Sequence, residues 1–169
     1  MMRIASFYVS VLSVLSLLIT GCAESTATAP PALKATQFLL ASEPAGALDV
    51  LDIKEQLQDG ERVVVMGRVG GGIKPWIDGR AAFLLTDSRI EASCEDGDKC
   101  ELGCPGCSKE MMEASTMVKF LGDDGKVLPV DARELLGLKE RQTVVVEGVA
   151  SRDSTGNLSI AGRNIYIRK

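Results

Sequence analysis

Short β-branched segments bounded by glycine-rich turns dominate the chain from Glu61 to its end. The first, Arg62–Val69 (RVVVMGRV), is ended by the glycines at 70–72 and by Pro75. Valine-rich runs of this length between turn residues are typical of β-strands. Residues 22–169 are also long enough for one compact domain and too short for two large ones. The pattern therefore predicts an all-β domain with short helices.

Four further strands and two short helices complete the predicted order. A capping box at Asp131 (DARE) indicates a helix at Ala132–Leu136 that ends at Gly137. Upstream, Leu48–Leu57 predicts a short amphipathic helix that stops at Asp59-Gly60. The order from Glu61 is β-β-β-α-β-β, which is that of the OB-fold, a five-stranded Greek-key barrel. The remaining strands are predicted at Arg80–Thr86, Thr116–Leu121, Gln142–Ala150 and Leu158–Ile167, the last with a bulge at Gly162.

One five-residue pattern occurs twice. Val63–Gly67 (VVVMG) recurs as Val144–Gly148 (VVVEG). Two strands with this pattern are candidates for paired neighbours, in which the glycine permits strong bending. The alternative is that the repeat reflects only how common valine runs are in strands.

An insertion at 88–115 replaces the tight hairpin expected between the second and third strands. It carries Cys94, Cys100, Cys104 and Cys107, spaced C-x5-C-x3-C-x2-C. Disulfides are the favoured interpretation, because exported proteins meet oxidising surroundings and a polar insertion needs covalent cross-links. Their pairing cannot be read from the sequence.

Two other uses of these cysteines remain open. Four thiolates suit a structural Zn²⁺ or an iron–sulfur centre, although only one C-x2-C pair is present. Alternatively, Cys104-Pro105-Gly106-Cys107 is a C-x-x-C motif that could serve thiol redox chemistry. Nearby glutamates would oppose that role by raising the thiol pKa.

The first 22 residues predict the location of the protein. Arg3 precedes an apolar run from Ile4 to Ile19, which is shorter than a membrane-spanning helix needs to be. Ile19-Thr20-Gly21-Cys22 then resembles the lipobox of bacterial lipoproteins. We therefore expect a signal peptide at 1–21, lipidation of Cys22, a tether at 22–47, a domain at 48–169, and an exported protein anchored in the cell membrane and facing the periplasm or cell surface.

Composition excludes several functions. The chain has no histidine, which rules out Ser-His-Asp and Cys-His catalysis and imidazole metal ligands. From Glu61 onward, 16 basic and 17 acidic residues nearly balance, so nonspecific binding to nucleic acid should be weak. We therefore expect a non-enzymatic protein with no cofactor other than a metal at the cysteines.

A resemblance extends these expectations. The segments Val63–Gly71 (VVVMGRVGG) and Gly79–Asp87 (GRAAFLLTD) are similar to the opening of small exported bacterial OB-fold lipoproteins. The similarity spans residues 61–169 and implies the fold without indicating the ligand. In an OB-fold the face of strands two and three usually binds the ligand. Candidate contacts for an anionic oligomer or saccharide are Arg68, Lys74, Trp76 and Arg80, although their charges could equally be solvated and Trp76 could pack on the barrel edge.

The leading hypothesis is thus a lipid-anchored binding or assembly module that contacts another envelope component, either a protein or a saccharide. The first alternative is a thiol or metal redox protein that works through its cysteine cluster. The second alternative, an oligonucleotide-binding module, follows only from analogy with the fold.

Overall fold

The computed structural model describes residues 35–70, 74–90, 109 and 111–169. The predicted signal peptide, Cys22 and the four cysteines of the insertion lie outside these ranges. Among the described residues, no helix has the length and apolar character needed to span a membrane. The elements are a 3₁₀ turn at Ala35–Gln37, β1 (Leu48–Asp49), α1 (Val50–Gln56), β2 (Arg62–Val69), β3 (Ala82–Thr86), β4 (Ser115–Phe120), α2 (Ala132–Leu136), β5 (Thr143–Arg152) and β6 (Leu158–Ile167).

Five strands form a closed mixed barrel. The order is β2-β3-β4-β6-β5, and pairing of β5 with β2 closes the circle. The β4–β6 pair is parallel, whereas the other four pairs are antiparallel. The protein is therefore mostly β with few short helices, as the strand pattern predicted.

The repeated valine pattern is a pair of neighbouring strands. Val63 lies opposite Gly148, and Gly67 lies opposite Val144. A Cβ at Gly67 would approach the carbonyl oxygen of Thr86 to 2.6 Å, and one at Gly148 would approach that of Ala161 to 2.5 Å. The register confirms the predicted pairing of the two segments. Both glycines are required, because β3 comes close to β2 at Gly67 and β6 comes close to β5 at Gly148.

Strand alternation places the core inside the barrel. Along β2 the burial alternates, with Val63, Val65, Gly67 and Val69 buried. Phe83 and Phe120 are the largest fully buried side chains. The buried face of α2 adds Ala132, Leu135 and Leu136 to this core. Burial of the apolar area on these alternating faces is the main force that holds the barrel together.

The ends of the predicted elements differ slightly from the observed ones. Arg62–Val69, Ala132–Leu136 and Leu158–Ile167 agree with the prediction. The helix predicted at Leu48–Leu57 begins only at Val50, because Leu48 and Asp49 pair in parallel with β2. The bulge in β6 falls at Arg163, next to the predicted Gly162, because Glu147 pairs with Asn164 and Gly148 with Gly162.

Residues 35–47, assigned from the sequence to the tether, contact the barrel. Phe38 packs edge-on against Phe120, with ring centroids 5.3 Å apart. Its neighbour Leu40 donates a backbone hydrogen bond of 2.8 Å to Ile165. The segment thus pairs with the part of β6 that follows its contact with β4. In the same way, β1 pairs with the part of β2 that precedes its contact with β3. Both covered edges would otherwise expose unpaired backbone groups.

Candidate functional site

The two arms of the 88–115 insertion leave the barrel side by side. Thr86 and Ser115 are paired at the ends of β3 and β4, and their hydroxyl oxygens lie 2.8 Å apart in a buried position. The next residue, Asp87, donates its backbone N–H to the carbonyl of Ala114 at 2.9 Å. We call this closed base the insertion root and define it by Thr86, Asp87, Ser88, Arg89 and Ser115.

Asp87 holds the N-terminus of α1 from a distance of 36 residues in sequence. Its Oδ2 accepts the backbone N–H of Leu51 at 2.8 Å, so this carboxylate satisfies a donor in the first turn. Asp49 occupies the N-cap position but makes no side-chain cap bond. Its Oδ1 instead accepts the hydroxyl of Ser88 at 2.6 Å. The helix and the insertion root therefore share these two carboxylates.

Arg89 fixes the Asp87 carboxylate. Its Nε and Nη2 donate to the two oxygens of Asp87, each at 2.9 Å, and Nη2 also donates to Asp52 at 3.1 Å. Burial by itself would raise the pKa of Asp87, but hydrogen bonds from the Arg89 side chain and from the amides of Leu51 and Arg89 outweigh it and lower the pKa. Asp87 is therefore an ionised, fully paired group.

Lys54 attaches α1 to the second arm. Its Nζ donates to the carbonyl oxygens of Glu113 and Ser115, at 2.5 and 2.9 Å. Partial burial lowers its pKa from the ordinary value, and the charge of Glu113 opposes that effect. At the other end of the helix, Arg152 donates to the carbonyls of Lys54 and Leu57. One short helix thus fastens both arms of the insertion to the barrel.

The four candidate ligand contacts divide between different surroundings. Arg68 is half-buried on β2 and reaches the carbonyl of Ser88 at 3.3 Å, so it belongs beside the insertion root. Lys74 is exposed and pairs with Asp78 at 2.8 Å. Arg80 is exposed, and its carbonyl accepts the N–H of Ala132 at the start of α2. No hydrogen bond in the described chain joins Arg68 to the other three.

Trp76 packs at the barrel edge near α2. It is 7% exposed, and its indole N–H donates to Glu140 at 3.1 Å. The Arg133 guanidinium lies over the indole ring, 5.5 Å from its centroid, in a cation–π arrangement. Asp131 accepts from Nε and Nη2 of Arg133 at 2.7 and 2.6 Å, and this lowers the pKa of Asp131 while raising that of Arg133.

Sequence reasoning missed the groups that organise these sites. In the sequence Asp87 stands out only as the last residue of the Gly79–Asp87 segment, and Asp131 only as a helix cap. In fact Asp131 caps α2 by accepting the N–H of Arg133, and it also accepts the N–H of Gly79 at 3.2 Å. Both acids are followed two residues later by an arginine, in Asp87-Ser88-Arg89 and Asp131-Ala132-Arg133. The same D-x-R spacing occurs in Asp78-Gly79-Arg80, where Asp78 pairs with Lys74 and Arg133 instead of Arg80, so the spacing alone would not have identified them.

The polar groups of both networks are paired with one another. Among the described residues, every buried side-chain nitrogen and oxygen has a hydrogen-bond partner. Within the same ranges, no group of three or more acidic or thiol side chains is placed to hold a metal ion. In the described part of the site, hydrogen bonds connect α1 to both ends of the insertion, and the four cysteines of the insertion belong to 91–108, outside the described residues.

Comparison with known proteins identifies no family. No family model matches the chain, and no curated protein matches it. Fourteen chains of solved structures do match. One is "OBody AM1L10 bound to hen egg-white lysozyme", at 17% identity and a TM-score of 0.38, with 66% of this chain and 81% of that chain covered. A likeness this distant says nothing about what the present chain binds.

Proposed function

We propose that this chain is a non-enzymatic, lipid-anchored OB-fold module of the bacterial cell envelope. Its cysteine-rich insertion would contact another envelope component, such as a protein or a saccharide. The observation that carries this proposal is the insertion root, in which α1 holds both arms of a 28-residue excursion against the barrel. A chain needs such support to present a loop in one orientation, because a preorganised loop loses less entropy on binding.

The barrel connectivity supports the OB-fold assignment. Three strands in antiparallel succession, a helix before the fourth strand, a parallel β4–β6 contact and closure of β2 on β5 match the order inferred from the sequence. In that fold the insertion occupies the loop between the second and third barrel strands, beside the usual binding face. Leu84 and Met117 are paired, half-buried residues of β3 and β4 near this loop.

The absence of histidine and the paired state of the described buried polar groups favour binding over catalysis. The lipobox-like Ile19–Cys22 supports the anchor. The redox and metal alternatives depend on Cys94, Cys100, Cys104 and Cys107, which favour disulfide cross-links in an oxidising compartment. Zinc or iron bound at those thiols, or a C-x-x-C pair that cycles readily, would replace this proposal with one of those alternatives.

Site-specific photo-crosslinking in cells tests the binding role. A photoreactive residue is placed at Met112, which is 66% exposed and lies just before β4, and a matched one is placed at Thr155 on the β5–β6 turn. A binding module should give a discrete adduct from position 112 and none from position 155, and the adduct should be lost from a Cys22→Ala variant that cannot be anchored. No adduct from position 112, or equal adducts from both positions, contradicts the proposal.

Thiol titration and metal analysis of protein purified without reductant complete the test. Zero free thiols and no metal support a cross-linked insertion. Bound zinc or iron, or free thiols that oxidise and reduce reversibly, contradict the proposal in favour of the redox or metal alternative. Affinity for oligonucleotides that falls steeply with salt would instead indicate nucleic-acid binding.

A further inference from the structure

A groove of about 480 Å³ lies between the N-terminal segment, the end of α1 and the β2–β5–β6 sheet. Its volume falls within the range of small-molecule sites. None of the insertion root contributes to it, so the groove is separate from the surface proposed above. It is lined by Gly46, Leu48, Leu57, Arg62, Val63, Val64, Glu147, Gly148 and Arg163.

Aliphatic side chains form one part of the lining. Leu48 of β1 remains 38% exposed although it belongs to a strand, and Leu57 follows α1. Val64 of β2, whose side chain is half-buried on the outer face of the strand, continues this apolar surface. Gly46 borders this surface, and no atom lies within 4 Å of the position where its Cβ would be. The space beside its backbone is therefore accessible to a ligand. This part of the groove suits an apolar body.

Two guanidinium groups supply the charge. Arg62 begins β2 and Arg163 is the extra residue of the β6 bulge, and both are exposed. Within the described ranges, neither has a carboxylate within 4.0 Å or a side-chain hydrogen bond. Five other described arginines donate side-chain hydrogen bonds: Arg68, Arg89, Arg133, Arg152 and Arg168. Arg80 and Arg141 are as unpaired as Arg62 and Arg163 within the same ranges, but they lie outside the groove.

The charge balance of the lining favours an anion. Glu147 of β5 is its single acid, so two positive groups face one negative group. Guanidinium forks bind carboxylate and phosphate oxygens through paired hydrogen bonds. We propose that this groove binds a small amphipathic anion, with its carboxylate or phosphate held by Arg62 and Arg163 and its apolar body against Leu48 and Leu57. Both soluble amphiphiles and anionic membrane lipids carry this chemistry.

Titration of the full chain with decyl phosphate and with decanoate, below their micelle concentrations, tests the inference. Backbone amide NMR signals of the lining residues should shift and saturate. The Arg62→Gln/Arg163→Gln variant should bind at least tenfold more weakly. The Lys139→Gln/Arg141→Gln variant is the matched control, because it removes the same charge from exposed positions outside the groove, and it should bind like the parent.

A neutral amphiphile with the same chain, decyl maltoside, should give no saturable shift. Co-sedimentation with phosphatidylglycerol vesicles separates the two sources: retention that depends on Arg62 and Arg163 indicates a lipid headgroup, whereas binding of the soluble anions alone indicates a free ligand. The inference is overturned if no saturable shift occurs, if decyl maltoside binds equally well, or if both double variants lose affinity equally. None of these outcomes bears on the insertion, so the proposed function is tested independently.

Discussion

Val65 on β2 and Val146 on β5 lie directly opposite each other, and each is the third valine of the same five-residue pattern. Every other pair follows from this one. Val64 faces Glu147 just as Val145 faces Met66, and Val63 faces Gly148 just as Val144 faces Gly67. The repeat therefore produces a local two-fold relationship, in which the glycine of each strand lies against the backbone of its other neighbour, Gly67 against β3 and Gly148 against β6.

Replacing either glycine by alanine should destabilise the barrel. In Gly67→Ala the new methyl would press on the carbonyl of Thr86, and in Gly148→Ala on that of Ala161, at 2.6 and 2.5 Å. Because these contacts are with backbone, we expect each variant to lose about 1–3 kcal/mol, the usual cost of overpacking. Urea unfolding measures this loss. Val149→Ala, a change at a half-buried neighbour in β5, is the control and should cost less than either; parent-like stability of both glycine variants would refute the close approach.

Removing the distant cap of α1 should loosen the insertion root. Asp87→Ala leaves the N–H of Leu51 and the guanidinium of Arg89 without their acceptor. A hydrogen bond to a charged group contributes roughly 1.5–3 kcal/mol. Since Arg89 is half exposed, solvent screening reduces its share, and we expect a loss of about 2 kcal/mol. Amide hydrogen exchange in α1 should accelerate, while exposed Asp123→Ala should leave it unchanged; unaltered α1 exchange in Asp87→Ala would disprove the capping role.

Stability should fall in acid through the same carboxylates. The pKa values of Asp87 and Asp131 are lowered in the folded protein by their arginine partners and backbone donors. A lowered folded pKa means that this stability is fully present above the unfolded value of about 3.9 and is lost as pH falls through the folded value. Unfolding free energies should therefore agree at pH 7 and 5 and drop at pH 3. The Asp87→Asn/Asp131→Asn variant should show a shallower drop; an equal drop would assign the acid sensitivity to other groups.

Fluorescence should report the Arg133 stack directly, because Trp76 is the chain's single tryptophan. Arg133→Ala removes the cation above the indole ring and the partner of Asp131. We expect the emission of Trp76 to shift to longer wavelength and acrylamide quenching to increase, since the ring gains contact with water. Arg141→Ala, at an exposed site before β5, should leave the spectrum unchanged. An unchanged spectrum in Arg133→Ala would show that the guanidinium does not shield the ring.

Shortening Phe38 should release the N-terminal segment from the barrel. The ring packs on Phe120, and the flanking backbone pairs with Ile165. Replacing a fully buried phenylalanine by alanine lowers the free energy of unfolding by about 3–5 kcal/mol. Because Phe38 is only partly buried, we expect a decrease of about 2 kcal/mol. Exchange at the Leu40 and Ile165 amides should accelerate in Phe38→Ala. Exposed Leu39→Ala is the comparison, and equal effects from both would argue against an anchoring role for Phe38.

The sequence by itself determined the strands, the turns and α2, because their signals are local. Alternation of buried and exposed residues in Arg62–Val69, the cap at Asp131 and the left-handed Gly137 each depend on neighbours only a few residues away. The repeated pattern also made β2–β5 pairing one of two interpretations, and the observed register excluded the other, a chance recurrence of common valine runs.

Only the tertiary structure decided which distant groups meet. The bond from Leu51 to Asp87, the stack of Arg133 on Trp76 and the packing of Phe38 on Phe120 join residues far apart in the chain. None has a local signature, because a polar group can pair with any donor or acceptor, and a ring can pack on any apolar surface, that the fold brings within reach. The sequence can show that a carboxylate or a guanidinium is present, but its partner is set by how the barrel closes around it.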